Sequence, residues 1–456
     1  MSTDYLGNPL STGDAATRAA VDAFVAAFLG NEAAAGDMLK VASASDAALP
    51  NAYAGALCML MESPRGPPRA RTFLAKAEAA AGANARERAA AAFLRAWALG
   101  DTPAAMAMSG DIVAEWPRDL VMAKLNQYLA FNAGDHRAMV RVAGAAAAAS
   151  ADVPQAHGMI AFALEESDRL GEAEAAARQA LAMTDREPWA QHALAHVMLA
   201  QARIDEGARF MAAASATWTG LSSFMLTHNW WHLALFHLSQ GRDDAVLGLY
   251  DAQCWAGDRD YSQDQIGAVS LLARLEFAGV DVGDRWADLA EHLAARGPDT
   301  ELPFLSLQYL YGLARAGRPE AAGLLDAIRR RAHDAPPSAR RAWAEVAAPA
   351  AEGIVAYLGG DYGAAIRGLG SVLPRMIEVG GSHAQRDLFE QIHLAALIAG
   401  ERWADAGAAL ERRRRFEPDG VPLNHALARV REALGQPLEA AEARARAERA
   451  LERLAG

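Results

Sequence analysis

Four of the 12 histidines in this sequence stand in two pairs with the same spacing. The first pair is His192 and His196, and the second is His228 and His232, which enclose the string Asn-Trp-Trp. Residues four apart lie on one face of a helix, about one turn from each other. Because imidazoles titrate near neutral pH, they can donate, accept or move protons. We therefore predict that these four histidines face one site and take catalytic roles there.

Two other roles suit the same histidine pairs. Neutral imidazole is a good zinc ligand, but no glutamate stands between the histidines as in HExxH sites, and no third ligand follows at a recognisable spacing. We therefore expect no metal cofactor, with zinc as the alternative. A structural role, in which the imidazoles are hydrogen-bonded inside a helical core, also fits the spacing.

A second group of polar residues lies between positions 380 and 390. Two glycines followed by a serine are typical of a loop and N-cap that open a helix, and the first-turn amides of a helix can bind an anion. A planar guanidinium adds a donor fork suited to a carboxylate or phosphate. A capped helix with intrahelical ion pairs is the alternative interpretation. The residues that we predict to bind a ligand are His383, Arg386, Asp387 and Glu390.

Two further residues complete the predicted site. Glu165 ends a predicted first helix at a position that usually faces the groove of a helical repeat, and we predict a catalytic role for it. Trp231, beside the second histidine pair, is predicted to wall the ligand pocket, although core packing is the alternative. Its neighbour Trp230 is predicted to pack in the core.

The segments that must position these residues recur along the chain. Each unit is an apolar helix, a short turn that often holds glycine, and a second helix that opens with alanine. Successive turns are separated by 34 to 43 residues, and the first two spacings equal the tetratricopeptide period of 34. The predicted turns lie near positions 134, 168, 202, 241, 279, 317, 360, 400 and 435.

This repetition predicts an all-α fold, a tetratricopeptide-repeat-like α-solenoid of about nine to eleven helical hairpins. We predict one continuous solenoid over residues 1–456, with a capping helix at 439–456. If the solenoid coils into a closed superhelix, the regions near 165, 192, 228 and 386 would surround one interior pocket.

Composition limits the class of protein. Hydrophobic residues make up 52% of the chain and aromatic residues only 7%, with much alanine, which favours helices over a large sheet. The net charge of −12 disfavours nucleic acid and anionic membranes as partners, and no apolar run is long enough to span a bilayer. Two cysteines form no disulfide framework, and the start of the chain has no secretory pattern, so we expect a cytoplasmic protein.

The histidine strings and the 380–390 segment resemble the tetratricopeptide repeat protein 38 family, over residues from about 155 to 400. The resemblance implies an all-helical tetratricopeptide array and supplies no activity. One stretch departs from the family pattern, because a Phe-Asn-Asp-x-His string of the relatives corresponds here to Phe304-Leu305-Ser306-Leu307-Gln308. Glutamine keeps hydrogen bonding but cannot titrate, so any chemistry that depends on that histidine would differ in this chain.

These patterns predict an internal pocket that binds a small anionic molecule and carries out acid–base chemistry of the hydrolase or lyase type. No GxSxG, GxGxxG or GxxxxGKS/T motif is present, so a serine nucleophile and a nucleotide cofactor are not expected. The alternative is a non-catalytic scaffold that binds a peptide or protein partner in its concave groove. Association into a homo-oligomer is left open.

Overall fold

The computed structural model describes residues 2–455, and the side chains of residues 2–454. Regular structure in that range is helical except for a short antiparallel ribbon, in which Ser2–Thr3 pairs with Pro9–Leu10. The chain divides into two compact units, residues 2–194 with 217–225, and residues 195–216 with 226–455. Helix α11 (Pro188–Ala200) and helix α13 (Ser223–Ser239) contribute residues to both units.

The first unit consists of ten helices before α11. They are α1 (Ala15–Leu29), α2 (Met38–Ser43), α3 (Ala48–Met59), α4 (Gly66–Ala79), α5 (Ala85–Ala98), α6 (Thr102–Glu115), α7 (Leu120–Asn132), α8 (His136–Ala149), α9 (Pro154–Glu165) and α10 (Leu170–Met183).

A buried arginine ties the N-terminal ribbon to this unit. The Arg86 guanidinium donates to the Asp119 carboxylate at 2.6 Å and to the Tyr53 hydroxyl at 3.1 Å, and it lies 3.3 Å from the Asp4 carboxylate. A buried guanidinium is tolerated only when its donors and charge are matched in this way. The contact therefore fixes residues near the N-terminus against α5 and α7.

The second unit holds the remaining helices. They are α12 (Ile204–Ala214), α14 (Asp243–Leu249), α15 (Ser262–Phe277), α16 (Arg285–Ala295), α17 (Pro303–Arg315), α18 (Glu320–Asp334), α19 (Pro337–Arg341), α20 (Ala348–Leu358), α21 (Tyr362–Val372), α22 (His383–Ala399), α23 (Trp403–Arg414), α24 (Val421–Ala433) and α25 (Pro437–Ala455). Shorter π-helical turns follow α14 at Tyr250–Cys254 and precede α20 at Ala342–Ala347.

From α3 onward, eleven helical hairpins follow one another in the described residues. Eight of the nine predicted turn positions have positive φ, and at the ninth the positive φ lies one residue later, at Glu401. Two of these residues, Asp168 and Ala202, adopt the left-handed conformation although they are not glycine, with φ of 59° each. A left-handed residue ends the first helix of a pair and turns the chain into the second. The prediction of an all-α, tetratricopeptide-repeat-like α-solenoid is confirmed.

The repeat also extends further toward the N-terminus than the sequence pattern indicated. Gly100 has φ of 80°, Glu62 has φ of 50° and Asn31 has φ of 55°, each at the end of a helix. Two of these positions hold asparagine and glutamate and not glycine, so a sequence pattern based on glycine does not predict these turns.

Small residues set the distance between helices in the second unit. A Cβ atom at Gly207 of α12 would lie 2.2 Å from the Phe236 ring of α13, so glycine allows that ring to pack on the α12 backbone. Similarly, Gly368 of α21 lies against the backbone of Gly353 in α20. Such close approach buries the apolar faces that each hairpin presents to the next.

The predicted capping helix lies within α25, and Met1 and Gly456 are outside the described residues. Among the described helices, none combines the length and the apolar character needed to cross a membrane.

Candidate functional site

Helix α13 carries the second histidine pair into the interior of the second unit. His232 is fully buried and His228 is 8% exposed. Their Nε2 atoms face each other at 3.2 Å, and the two rings are perpendicular, with centroids 4.8 Å apart. The helical spacing therefore does bring the two imidazoles together, as the sequence predicts.

Two histidines from other helices join this pair. His196 of α11 is fully buried, and its ring centroid lies 4.5 Å from that of His232. His383, at the start of α22, is half-buried and lies 5.1 Å from His196, edge to face. One ring nitrogen from each of His196, His228 and His232 lies within 4.8 Å of the other two. We call His196, His228, His232 and His383 the imidazole cluster.

Burial determines the protonation of one member of this cluster. Burial, together with the charge that His196 would carry, lowers the pKa of His228 to about 3. At neutral pH, His228 is therefore an uncharged imidazole with one N–H donor and one lone pair. A group of this kind is a poor general acid, which argues against the predicted proton-transfer role for His228.

Trp231 lies between the imidazole cluster and a buried arginine. Its ring stacks on His228 with centroids 5.2 Å apart and planes inclined by 13°, and the Arg274 guanidinium lies 5.5 Å from the ring centroid. Trp231 is 1% exposed, while Trp230 is half-buried. Trp231 therefore packs in the core and contacts the predicted site as well, and Trp230 is the more exposed of the two.

Arg274 of α15 joins the helices that carry the histidines. Its guanidinium donates to the Ala384 carbonyl at 2.8 Å, next to His383, and also to the Ser270 hydroxyl. It lies 3.5 Å from the Asp387 carboxylate. Because Arg274 is 2% exposed, breaking these contacts would leave a desolvated charge.

The Asp387 carboxylate is the centre of a charge network beside the cluster. It accepts hydrogen bonds from Arg413 of α23 and, at 2.6 Å, from Gln391. Burial acts to raise the pKa of Asp387, but the guanidinium groups of Arg413 and Arg274 outweigh it and hold the pKa well below its usual value. Asp387 is therefore ionised at neutral pH, and its charge offsets that of the arginines.

The 380–390 segment is the capped helix start that its sequence predicts. The Ser382 hydroxyl accepts from the Gln385 amide at 3.2 Å, and the Gln385 side chain accepts from the Ser382 amide at 3.0 Å. Gly380 and Gly381 have positive φ of 92° and 79°. The cap therefore occupies a first-turn amide, that of Gln385, which would otherwise be able to bind an anion.

The predicted ligand-binding residues of this segment separate into different environments. The Arg386 guanidinium donates to the Gly381 carbonyl of its own loop. Glu390 is exposed, whereas Asp387, three residues earlier, reaches the buried Arg274. Of the four predicted residues, His383 alone belongs to the imidazole cluster, and ligand binding by the other three remains a prediction.

Two buried side chains near the cluster have polar atoms without hydrogen-bond partners among the described residues. They are both amide atoms of Asn229, which is fully buried, and the indole nitrogen of Trp231. An unsatisfied buried polar group costs about 1–3 kcal/mol. Since these residues adjoin His228 and His232 on α13, the orphaned atoms are the places where a bound molecule or ordered water would gain hydrogen bonds.

Other predicted residues lie in the first unit. His192 is 2% exposed, and its ring packs on those of Trp189 and Phe162, with centroid distances of 4.7 Å and 5.4 Å. Glu165, at the end of α9, is 1% exposed, and the next residue, Glu166, lies 3.6 Å from His136. Roles for His192 and Glu165 at the imidazole cluster remain predictions.

The stretch that departs from the family pattern lies in α17. Gln308 is 1% exposed, and its side-chain oxygen has no hydrogen-bond partner among the described residues. Phe304, one turn earlier, lies against Gly381 and 6.0 Å from the Phe389 ring. This face of α17 therefore packs on the 380–390 segment.

Sequence reasoning missed three residues beside the cluster. Arg274 is a single cation within the apolar run Leu271–Leu275, and a lone charge in such a run is a signal of a buried, partnered group. Arg413 stands in a run of four arginines, a pattern that is more typical of a solvated helix end than of a partner for a carboxylate beside the cluster. Asn229 carries no signal beyond its place between two histidines.

No protein-family model matches this sequence. Among solved structures, a human IFIT1 dimer with PPP-AAAA matches 91% of this chain and 94% of its own, with 12% identity and a TM-score of 0.42. The P58(IPK) TPR domain matches 81% of this chain and 97% of its own, with 13% identity and a TM-score of 0.23. Yeast Tom70 matches 77% and 89%, with 10% identity and a TM-score of 0.26. Similarity at this level carries no argument about function.

Proposed function

We propose that this chain is a tetratricopeptide-type protein that binds a small anionic molecule at the imidazole cluster. The observation that carries the proposal is the meeting of four imidazole rings from three helices, at centroid distances of 4.5 to 5.1 Å, in the second unit. A plain repeat core is built from apolar contacts and has no need of several buried imidazoles in one place.

The polar atoms at the cluster fit an anion. Neutral imidazoles have N–H groups that donate to carboxylate or phosphate oxygens, and the Asn229 amide adds donors that have no partner among the described residues. Binding a ligand there would satisfy groups whose burial is otherwise costly. Membership of the tetratricopeptide repeat protein 38 family is part of the same proposal and rests on the sequence strings alone.

Proton transfer of the hydrolase or lyase type belongs to this proposal only through histidines other than His228. With a pKa of about 3, the His228 imidazole lacks the second ring proton at neutral pH, so it cannot act as a general acid there. In protein without a bound metal, we assign acid–base work, with the ligand bound, to His196 or His232.

A thermal-shift screen for ligand binding tests the proposal. Purified protein is screened by thermal shift against a panel of small carboxylates and phosphates, beside His232→Gln and the control His237→Gln. His237 lies on the same helix, outside the cluster, and contacts Gln240 at 3.1 Å. We expect at least one compound to raise the melting temperature of the wild type and the control but not of His232→Gln. If no anion stabilises the wild type, or if His232→Gln responds equally, the proposal is wrong.

The scaffold function is the second candidate, and a surface cleft of the second unit favours it. The cleft is lined by Phe277, Tyr311 and Tyr357, together with Arg315, which pairs with Glu276. Aromatic side chains with a polar rim are typical of peptide-binding surfaces. A pull-down that loses a specific partner with Tyr357→Ala and keeps it with His232→Gln would place function in the cleft.

A further inference from the structure

We infer that His196, His228 and His232 are the ligands of a zinc ion. This inference rests on the proposed function, because it names the group that would give the imidazole cluster its affinity for an anion. Three buried side chains of one ligand type, from two helices, present nitrogens within 4.8 Å of one another. Neutral imidazole is a preferred zinc ligand.

The distance between two of the nitrogens matches zinc geometry. Zinc binds imidazole nitrogen at about 2.0–2.1 Å in a tetrahedral arrangement, which places any two ligand nitrogens about 3.3 Å apart. The Nε2 atoms of His228 and His232 are 3.2 Å apart. The separation of these two nitrogens is therefore the one that two ligands of a single tetrahedral zinc ion would have. A ring nitrogen of His196 lies within 4.8 Å of both.

A hydrogen bond between the two imidazoles is the competing explanation of the 3.2 Å distance. In that arrangement, one Nε2 carries a hydrogen and donates to the other. That hydrogen bond involves His228 and His232, whereas a shared ion would also engage the third imidazole, His196, whose ring centroid lies 4.5 Å from that of His232.

The surroundings hold the ligands in place. Trp231 stacks on His228, and the Arg274 guanidinium lies 5.5 Å from the centroid of the same indole while it donates to the Ala384 carbonyl. The charge of Arg274 is offset by Asp387, so the cation does not stand unbalanced beside the proposed ion. Rigid support of this kind reduces the cost of organising a metal site.

The charge of the proposed zinc site explains why it would bind an anion. Three neutral imidazoles leave zinc with both positive charges, and three protein ligands leave a fourth position open. An anionic oxygen would fill that position. The arginines nearby do not serve this purpose, because Arg274 and Arg413 are engaged with Asp387.

Metal titration tests the site directly. The full-length protein is treated with a chelator, dialysed and titrated with zinc chloride, and cobalt(II) is substituted for optical spectra. We expect one equivalent of zinc, a tetrahedral cobalt spectrum, and at least about tenfold weaker zinc binding for His196→Gln, His228→Gln and His232→Gln. His237→Gln should bind zinc like the wild type, and circular dichroism should show that each variant is folded.

The outcome separates this inference from the proposed function. If the metal-free protein binds no zinc, or if the three variants bind it unchanged, the imidazoles form a hydrogen-bonded group only and the zinc inference is wrong. Anion binding by metal-free protein would then still support the proposed function. If zinc binds with the expected ligands and no anion from the panel binds the zinc form, the metal site stands and the proposed function fails.

Discussion

At the scale of single residues, the protonation of His228 links the site to stability. Burial lowers its pKa to about 3, whereas histidine in an unfolded chain has a pKa of about 6.5. Between these two pKa values, the unfolded state therefore binds more protons than the folded state. The free energy of unfolding is thus unaffected by this group above about pH 6.5, and it decreases as the pH falls from there toward 3.

We predict that, in metal-free protein, His228→Gln will flatten the dependence of stability on pH between 7 and 5. The wild type should lose up to about 1.4 kcal/mol per pH unit through this group. Urea unfolding at several pH values measures the difference, with His333→Gln as the control because His333 is exposed. Equal slopes for wild type and His228→Gln would show that the buried imidazole is not held neutral.

Asp387 gives the second prediction at this scale. Asp387→Asn leaves the guanidinium groups of Arg274 and Arg413 without their carboxylate, and we expect a loss of about 3 kcal/mol at pH 7. Since the pKa of Asp387 is lowered in the folded protein, the stabilisation is present above about pH 4 and is lost at lower pH.

Chemical denaturation measures the cost of Asp387→Asn. The matched control is Asp326→Asn, which breaks an exposed ion pair with Arg329 and should cost about 0–1 kcal/mol. A similar small cost for both variants would contradict the assignment of Asp387 as the centre of a buried network.

At the scale of helices and turns, the left-handed conformation of Ala202 is a point where a substitution can increase the stability of the protein. Ala202 connects α11 to α12 with φ of 59°, a conformation that costs a residue with a Cβ atom about 1–2 kcal/mol. We predict that Ala202→Gly stabilises the protein by about 0.5–1 kcal/mol after the larger entropy of unfolded glycine is subtracted.

The control for this turn is Ala212→Gly, which lies exposed within α12 and should destabilise by about 0.5–1 kcal/mol. Thermal melts of the two variants and the wild type measure these opposite changes in stability. A loss of stability in both would mean that the backbone at position 202 is not left-handed in solution.

At the scale of the whole molecule, we predict that α25 acts as a capping helix, since a terminal helix of a repeat array needs a polar outer face. Helix α25 packs on α24, where it covers Val421 with Ala447 and Ala450 and contributes Ala443 to the cluster around Leu427. Each aliphatic side chain that loses its cover costs about 1.5–3 kcal/mol.

Deletion of residues 437–456 should therefore lower the urea midpoint and promote self-association, while most of the helical circular dichroism remains. Each repeat in such an array depends mainly on its neighbours, so the loss is confined to the exposed end. Size-exclusion chromatography and circular dichroism measure the two effects. Unchanged stability and a monodisperse product would contradict the capping role of α25.

The amino-acid sequence by itself determined the helical repeat. Turn residues, N-caps and the periodic apolar faces act over a few positions, so the hairpins, the capped start of α22 and the pairing of His228 with His232 could be predicted. The turns at Asn31 and Glu62 escaped because asparagine and glutamate occupy left-handed positions that glycine usually marks.

Only the tertiary structure decided which distant residues meet. His383 contacts His196 across 187 positions, and Arg274 lies on Trp231 and reaches Asp387, although no local pattern links these residues. Their meeting depends on how each hairpin packs and rotates on the next, and small side chains such as Gly207 set that packing across the whole unit. For the same reason, burial changes His228 from a titrating imidazole into a neutral one, which its sequence context does not reveal.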